Sequence, residues 1–196
     1  LSRFKKMLSS PIFLVFLIFL FVFSFLRFTY VNKELKRERG SQAYYQLNDA
    51  KFLTRFIDMK LETDGTDSID DDLLMHVNHL VYVSGRPLST FEFLLQDGYQ
   101  TLLRQLSSTA SEHEKEQLVV AVEFFHEDLR EIVRFANSEC EIVLSRDEDG
   151  NTKSSKGDYI NYAKLTDPNY RLYEEFNALV LQKIEDNRER LREVGK

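Results

Sequence analysis

Residues 8–28 read LSSPIFLVFLIFLFVFSFLRF, and from residue 12 to residue 26 the only polar side chain is Ser24. That uninterrupted apolar core is 15 residues long, and extension to Leu8 and Phe28 brings it to 21. A bilayer core of about 30 Å needs about 20 helical residues, so the longer stretch is sufficient to span one. Pro11 lies at the entry of the helix, where its missing N–H costs little. Arg27 can carry its guanidinium to the headgroups along its alkyl stem, and Tyr30 falls where an interfacial aromatic sits.

Two other readings of the stretch are weaker. A cleavable signal peptide needs small residues ahead of its cleavage site, and here the run ends in Phe25-Leu26-Arg27-Phe28-Thr29-Tyr30. A core helix of a soluble protein keeps a polar face, and this one is apolar all round. Seven phenylalanines (13, 16, 19, 21, 23, 25 and 28) fill the helix, with no Gly or Ala. The small-residue face that lets transmembrane helices approach closely is therefore absent, and lipid is the expected neighbour.

Around this anchor the charge divides. Residues 1–40 hold 8 Lys/Arg against 2 Glu, a net +6, and residues 41–196 hold 18 Lys/Arg against 30 Asp/Glu, a net −12. The second value argues against nucleic acid, whose phosphates must be neutralised by Lys and Arg. A basic collar formed by Arg27, Lys33, Lys36, Arg37 and Arg39 suits an anionic leaflet instead. Five basic residues at and after the end of the span, Arg27 included, against three before it (Arg3, Lys5, Lys6) favour a cytoplasmic carboxyl-terminal side. The lone Cys140 has no internal disulfide partner, which fits a reducing compartment.

Four segments follow: a basic head (1–7), the span (8–28), a basic stalk (29–40) and one acidic domain (41–196). Only three prolines and seven glycines occur in the chain, so helices can run long. Helix is expected from the span to about Leu61, with Gly40 as a hinge and a buried stripe of Tyr45, Phe52, Leu53, Phe56 and Ile57. A loop at 62–67 precedes a second helix capped by Ser68 and ending near Ser84, with Leu73, Val77, Leu80 and Val81 inward. Ser89-x-x-Glu92 is expected to open a third, with Phe91, Leu94, Leu95, Leu102 and Leu106 as its stripe. Ser111-x-x-Glu114 opens a fourth, buried through Leu118, Val122, Phe125, Leu129, Ile132 and Ala136. Residues 146–158 read as a polar loop. Asp167-Pro168 then starts a last helix, with Leu172, Tyr173, Phe176, Leu179, Val180 and Ile184 inward and an end after Glu185 that frays or projects. One stripe per helix predicts an all-α fold, an antiparallel bundle of four to five helices behind the transmembrane helix.

Few residues invite chemistry. Asp72, His76 and His79 share one helical face at metal-ligand spacing, but no Cys or third His is near in sequence, and a solvated face explains them. Glu123-x-x-His126 is half of a di-iron bundle motif, and no second half exists. Asp147-Glu148-Asp149-Gly150 follows part of a calcium loop, but Lys156 stands where a bidentate Glu is required. No Gly-x-Ser-x-Gly elbow, phosphate loop or dinucleotide fingerprint occurs. No cofactor is expected. The expectation is therefore a membrane-anchored helical interaction protein, an accessory or scaffolding subunit. Its partners would be membrane lipid, another membrane or membrane-associated protein, or a second copy of itself. The alternative is a membrane-anchored metal-dependent enzyme or sensor using the histidine and carboxylate residues above.

Overall fold

The computed structural model describes residues 11–64, 88–100, 112–140, 145–146, 152–153 and 159–194, together with Leu73, Met75, His76 and Leu80. The fold is all-α. Helix α1 covers Pro11–Asp64, α2 Ser89–Phe93 and α3 Glu112–Cys140, and α4 (Tyr159–Ala163) and α5 (Arg171–Val194) complete the set. Leu94–Gln100 continues α2 as a π-helical stretch. Contacts divide the chain into two units, Leu1–Glu38 and Arg39–Lys196.

In the first unit, α1 is described from Pro11 onward. Every side chain from residue 14 to residue 28 is exposed. An apolar helix with no buried face has nothing in its own unit to cover it, and its length and composition suffice to cross a membrane. Residues 8–10 of the expected span lie outside the described residues.

In the second unit, the last part of α1 buries Ala43, Leu47, Ala50, Leu53 and Ile57 at intervals of three and four. This face is rotated from the expected one. Leu53 and Ile57 belong to it, but Tyr45 and Phe52 are exposed. Small residues account for the difference, because Gly40 lets a neighbouring backbone come close and Ala43 and Ala50 are fully buried, whereas pattern reading weights bulky side chains. Gly40 is accordingly not a hinge. It is buried within α1, and a Cβ placed there would lie 1.8 Å from the Tyr159 carbonyl oxygen at the start of α4.

Helix α3 carries the stripe its spacing predicts: Leu118, Val122, Phe125, Leu129, Ile132, Ala136 and Cys140 are all buried. It packs against α5, whose Phe176, Val180 and Ile184 are buried in the same core. Phe91, Leu94 and Leu95 join that core, as do Leu73 and Leu80 of the expected second helix. The Ser68 cap, Val77, Val81, Ser84, Leu102, Leu106 and Ser111 lie outside the described residues.

Several boundaries differ from expectation. Ser89 is the first residue of α2, not its cap. The buried Leu88 occupies the cap position without a side-chain hydrogen bond, and Glu92 accepts from Gln96 Nε2 at 3.0 Å. The last helix starts at Arg171. Asp167 Oδ1 accepts hydrogen bonds from the Asn169 backbone N–H (3.1 Å) and side-chain amide (2.8 Å), and the Tyr170 N–H donates to the Asp167 carbonyl at 3.0 Å. Asp and Pro here build a turn, a role both residues fill as readily as a helix start. Helix α5 continues as helix to Val194, and Asn187, beyond Glu185, is buried. The 146–158 stretch holds a two-residue antiparallel pairing, Ser145 with Lys153 and Arg146 with Thr152. Helix α4, unforeseen in the sequence, places Tyr162 and Ala163 in the interior.

Candidate functional site

The residues of metal-ligand type do not assemble. Asp72 and His79 lie outside the described residues. The His76 ring packs on Phe56 with centroids 4.5 Å apart, so it serves as an aromatic neighbour. Glu123 is exposed on α3. His126, three residues on, is buried with Nε2 2.9 Å from Asp58 Oδ1 of α1, although the contact lies off the N–H direction of a hydrogen bond. Among the described residues no three His, Cys, Asp or Glu side chains come together as a metal site. In the collar, Arg27, Tyr30, Lys33, Lys36 and Arg39 are exposed, and Arg37 Nη1 lies 3.6 Å from Glu34 Oε1.

Cys140 is buried at the end of α3, with Sγ 3.6 Å from the Asn161 carbonyl oxygen. Burial pushes its thiol up to about 12, with Glu139 adding to the shift and Lys164 opposing it. A thiol held protonated is a poor nucleophile.

Two polar constellations are built by the fold. The first is buried. Tyr99 of the π-helical stretch donates its hydroxyl to Asp128 Oδ2 of α3, and the Asn187 side-chain amide of α5 donates to both. Lys183 Nζ lies 3.6 Å from Asp128 Oδ1 and pairs with Glu131. Burial raises the Asp128 carboxyl above the usual range, although its hydrogen bonds from Asn187 and Tyr99 and the Lys183 charge act against that. Burial and the Asp128 charge likewise raise the Tyr99 phenol. Lys183 goes up as well. Burial would lower it, but bonding to Glu131 and the charge of Asp128 prevail. Asp128, Tyr99 and Asn187 are 1%, 0% and 2% exposed. Closed off in this way, the cluster fastens three helical segments together.

The sequence reading missed this cluster, yet the signal was present. Asp128 follows Phe125 by three and precedes Ile132 by four, so it lies on the apolar stripe of α3. Asn187 follows Ile184 by three, and Tyr99 follows Leu95 by four. A polar residue at a stripe position is a candidate for a buried, satisfied hydrogen-bonding group.

The second constellation opens to solvent. A cleft of about 610 Å³ runs between α1 and α3, lined by Tyr44, Lys51, Thr54 and Arg55 on one side and Arg130, Val133, Arg134, Asn137 and Ser138 on the other, with Tyr162 of α4. At one end Tyr44 packs edge-on against Tyr162, which is 3.2 Å from Asn137. Asp58 meets His126 towards the other, so α1 and α3 are antiparallel along the cleft. Lys51 and Arg55 are four residues apart, as are Arg130 and Arg134. Each pair thus stacks on one helix face. Like charges at that spacing cost about 0.2–0.5 kcal/mol per pair. Among the described residues four cations and no carboxylate line this cleft, in a region whose net charge is −12. Among the described residues none of the four has an ion-pair partner.

Nothing local in the sequence singles out either pair, since only the fold brings the two faces together. Compared with known proteins, the chain matches no family model, no curated protein and no solved structure.

Proposed function

We propose that this chain is a single-pass membrane protein whose helical domain acts as an accessory or scaffolding subunit, binding another membrane or membrane-associated protein. The observation that carries the reading is the contrast within α1: exposed apolar side chains throughout residues 14–28, then a regular buried face from Ala43 to Ile57. The first part demands an apolar solvent, and the second belongs to a domain with its own core. The exposed basic collar supports a domain on the cytoplasmic side, next to anionic headgroups. A net charge of −12 suits a basic partner surface, because complementary charge speeds encounter and excludes like-charged competitors.

Purification of the full chain in a mild detergent, with identification of what accompanies it, tests the proposal. An unrelated apolar span in place of residues 8–28 should retain the partner, since lipid requires only length and flanks. Deletion of residues 41–196 should lose it. A partner that survives the deletion but not the swap would place the binding surface in the membrane.

A further inference from the structure

We propose that the cleft between α1 and α3 is a binding site for a small molecule carrying two or more phosphate groups. The argument begins with the four cations. Lys51, Arg55, Arg130 and Arg134 converge on one concavity from two helices, and among the described residues no acid lines it. Surface Lys and Arg in an acidic domain find carboxylates readily, as Arg171 does with Glu175. Among the described residues these four do not, and Asp58, three residues beyond Arg55 on α1, faces His126 instead. What is left is a concentrated positive field awaiting a counter-charge.

Geometry narrows the ligand class. The volume, about 610 Å³, is that of a small-molecule site. Residues four apart on a helix are about 6 Å apart along its axis. Two such pairs facing each other across antiparallel helices form two cationic rungs, Arg134 with Lys51 and Arg130 with Arg55. Each rung can hold one phosphate. Three of the four cations are Arg, whose planar fork matches phosphate oxygens. Asn137 adds a neutral donor: its Oδ1 accepts from the Tyr162 hydroxyl, which turns its NH₂ group to other acceptors. The Thr54 and Ser138 hydroxyls donate to carbonyls of their own helices, at 2.8 and 2.9 Å, which leaves their oxygens as neutral acceptors beside the cations. The Tyr44 and Tyr162 rings wall one end.

An acidic peptide fits less well. A chain longer than the cleft would continue over a domain of net charge −12, where like charge repels it. A compact polyphosphate keeps its charge inside the cleft. The same chemistry occurs in a soluble polyphosphate and in a phosphorylated inositol lipid headgroup.

Calorimetric titration of the full chain in phosphatidylcholine nanodiscs tests the site, with inositol hexakisphosphate and pyrophosphate as probes. Saturable binding that weakens with added salt is expected. Arg130→Gln/Arg134→Gln and, separately, Lys51→Gln/Arg55→Gln should each weaken it by at least about tenfold, since each removes two charge-assisted contacts. All four side chains are exposed, so both variants should melt like the parent. Because the pairs lie on different helices, either one tests the site if the other perturbs folding. Arg171→Gln, outside the cleft, should bind like the parent. A second set of nanodiscs containing phosphatidylinositol bisphosphate separates the sources. Weaker probe binding by the parent there, with the residual binding of the cleft variants the same in both kinds of nanodisc, assigns the headgroup, and unchanged binding assigns a soluble ligand. Absence of saturable binding by either probe overturns the proposal. So does equal loss in Arg171→Gln, or a polyglutamate peptide that binds the cleft and is not displaced by the probes.

Discussion

Replacing Gly40 by alanine sets helix propensity against packing. In a helix interior the change alone gains about 1 kcal/mol. Here the new Cβ would lie 1.8 Å from the Tyr159 carbonyl oxygen, 2.7 Å from its carbon and 3.0 Å from the Ala163 nitrogen. Carbon contacts are comfortable at about 3.5–4.0 Å, so α4 must retreat from α1 by well over about 1 Å. All three opposing atoms are backbone, and no side chain can swing aside. The retreat also disturbs the Tyr44 ring, which packs 5.2 Å from Tyr159 and 5.3 Å from Tyr162. Overpacking costs about 1–3 kcal/mol, and a weakened aromatic pair about 0.5–1.5 kcal/mol more. The net expectation after the propensity gain is a destabilisation of about 1–3 kcal/mol. For a domain of this size that lowers the melting temperature by about 2–4 °C per kcal/mol. Thermal unfolding of the full chain in detergent micelles, followed by tyrosine near-ultraviolet circular dichroism, measures the shift, with the exposed Gln42→Ala as reference. A melting temperature equal to or above the parent's would refute the close-approach account and restore a hinge.

Three further expectations follow from the interior. Phe125→Ala should cost about 3–5 kcal/mol, because the ring is fully buried 4.5 Å from Tyr99, whereas the exposed Glu123→Ala should change stability by less than about 0.5 kcal/mol. Equal shifts in denaturant midpoint would mean the wrong face of α3 is inward. Burial raises the Asp128 carboxyl above 3.8, so the folded state holds its proton more tightly than the unfolded state. This group's contribution therefore falls as pH rises through 3.8 towards the raised value, and the parent should lose stability relative to Asp128→Asn across that window. A stability difference independent of pH would refute it. Cys140 should resist a thiol reagent in the native chain and react once unfolded, since it is buried with its thiol pushed up to about 12. Topology labelling accordingly needs an introduced cysteine at an exposed site such as Gln182. Rapid native labelling of Cys140 would contradict its placement.

The parts of the fold legible in the sequence are those fixed by local pattern. The apolar run needs no tertiary information, because its composition and length alone mark a helix able to cross a membrane. The α3 stripe from Leu118 to Ala136 was equally plain, since regular spacing over several turns leaves one face to bury. Reading failed where a neighbour decides the outcome. The inward face of α1 is set by the backbone of α4 resting on Gly40, and small residues give no hydropathy signal. Asp167-Pro168 has the composition of either a helix start or a turn, and its hydrogen bonds to Asn169 settle the matter. Asp128 and Asn187 were passed over because a pattern of apolar positions ignores polar ones lying among them. The cationic cleft was illegible for a different reason. Its two halves are ordinary solvated pairs until α1 and α3 are brought side by side.

Alkaline extraction of membranes bearing the full chain tests the anchor most directly. The account predicts that the chain stays in the membrane pellet. A variant with Phe19→Lys and Val22→Lys, two charges at mid-span that each cost about 2.5–3.5 kcal/mol, should pass to the soluble fraction with its helical content retained. Recovery of the parent chain in the alkaline supernatant, or of a mature chain starting beyond Tyr30, would contradict a retained span and with it the membrane-anchored function.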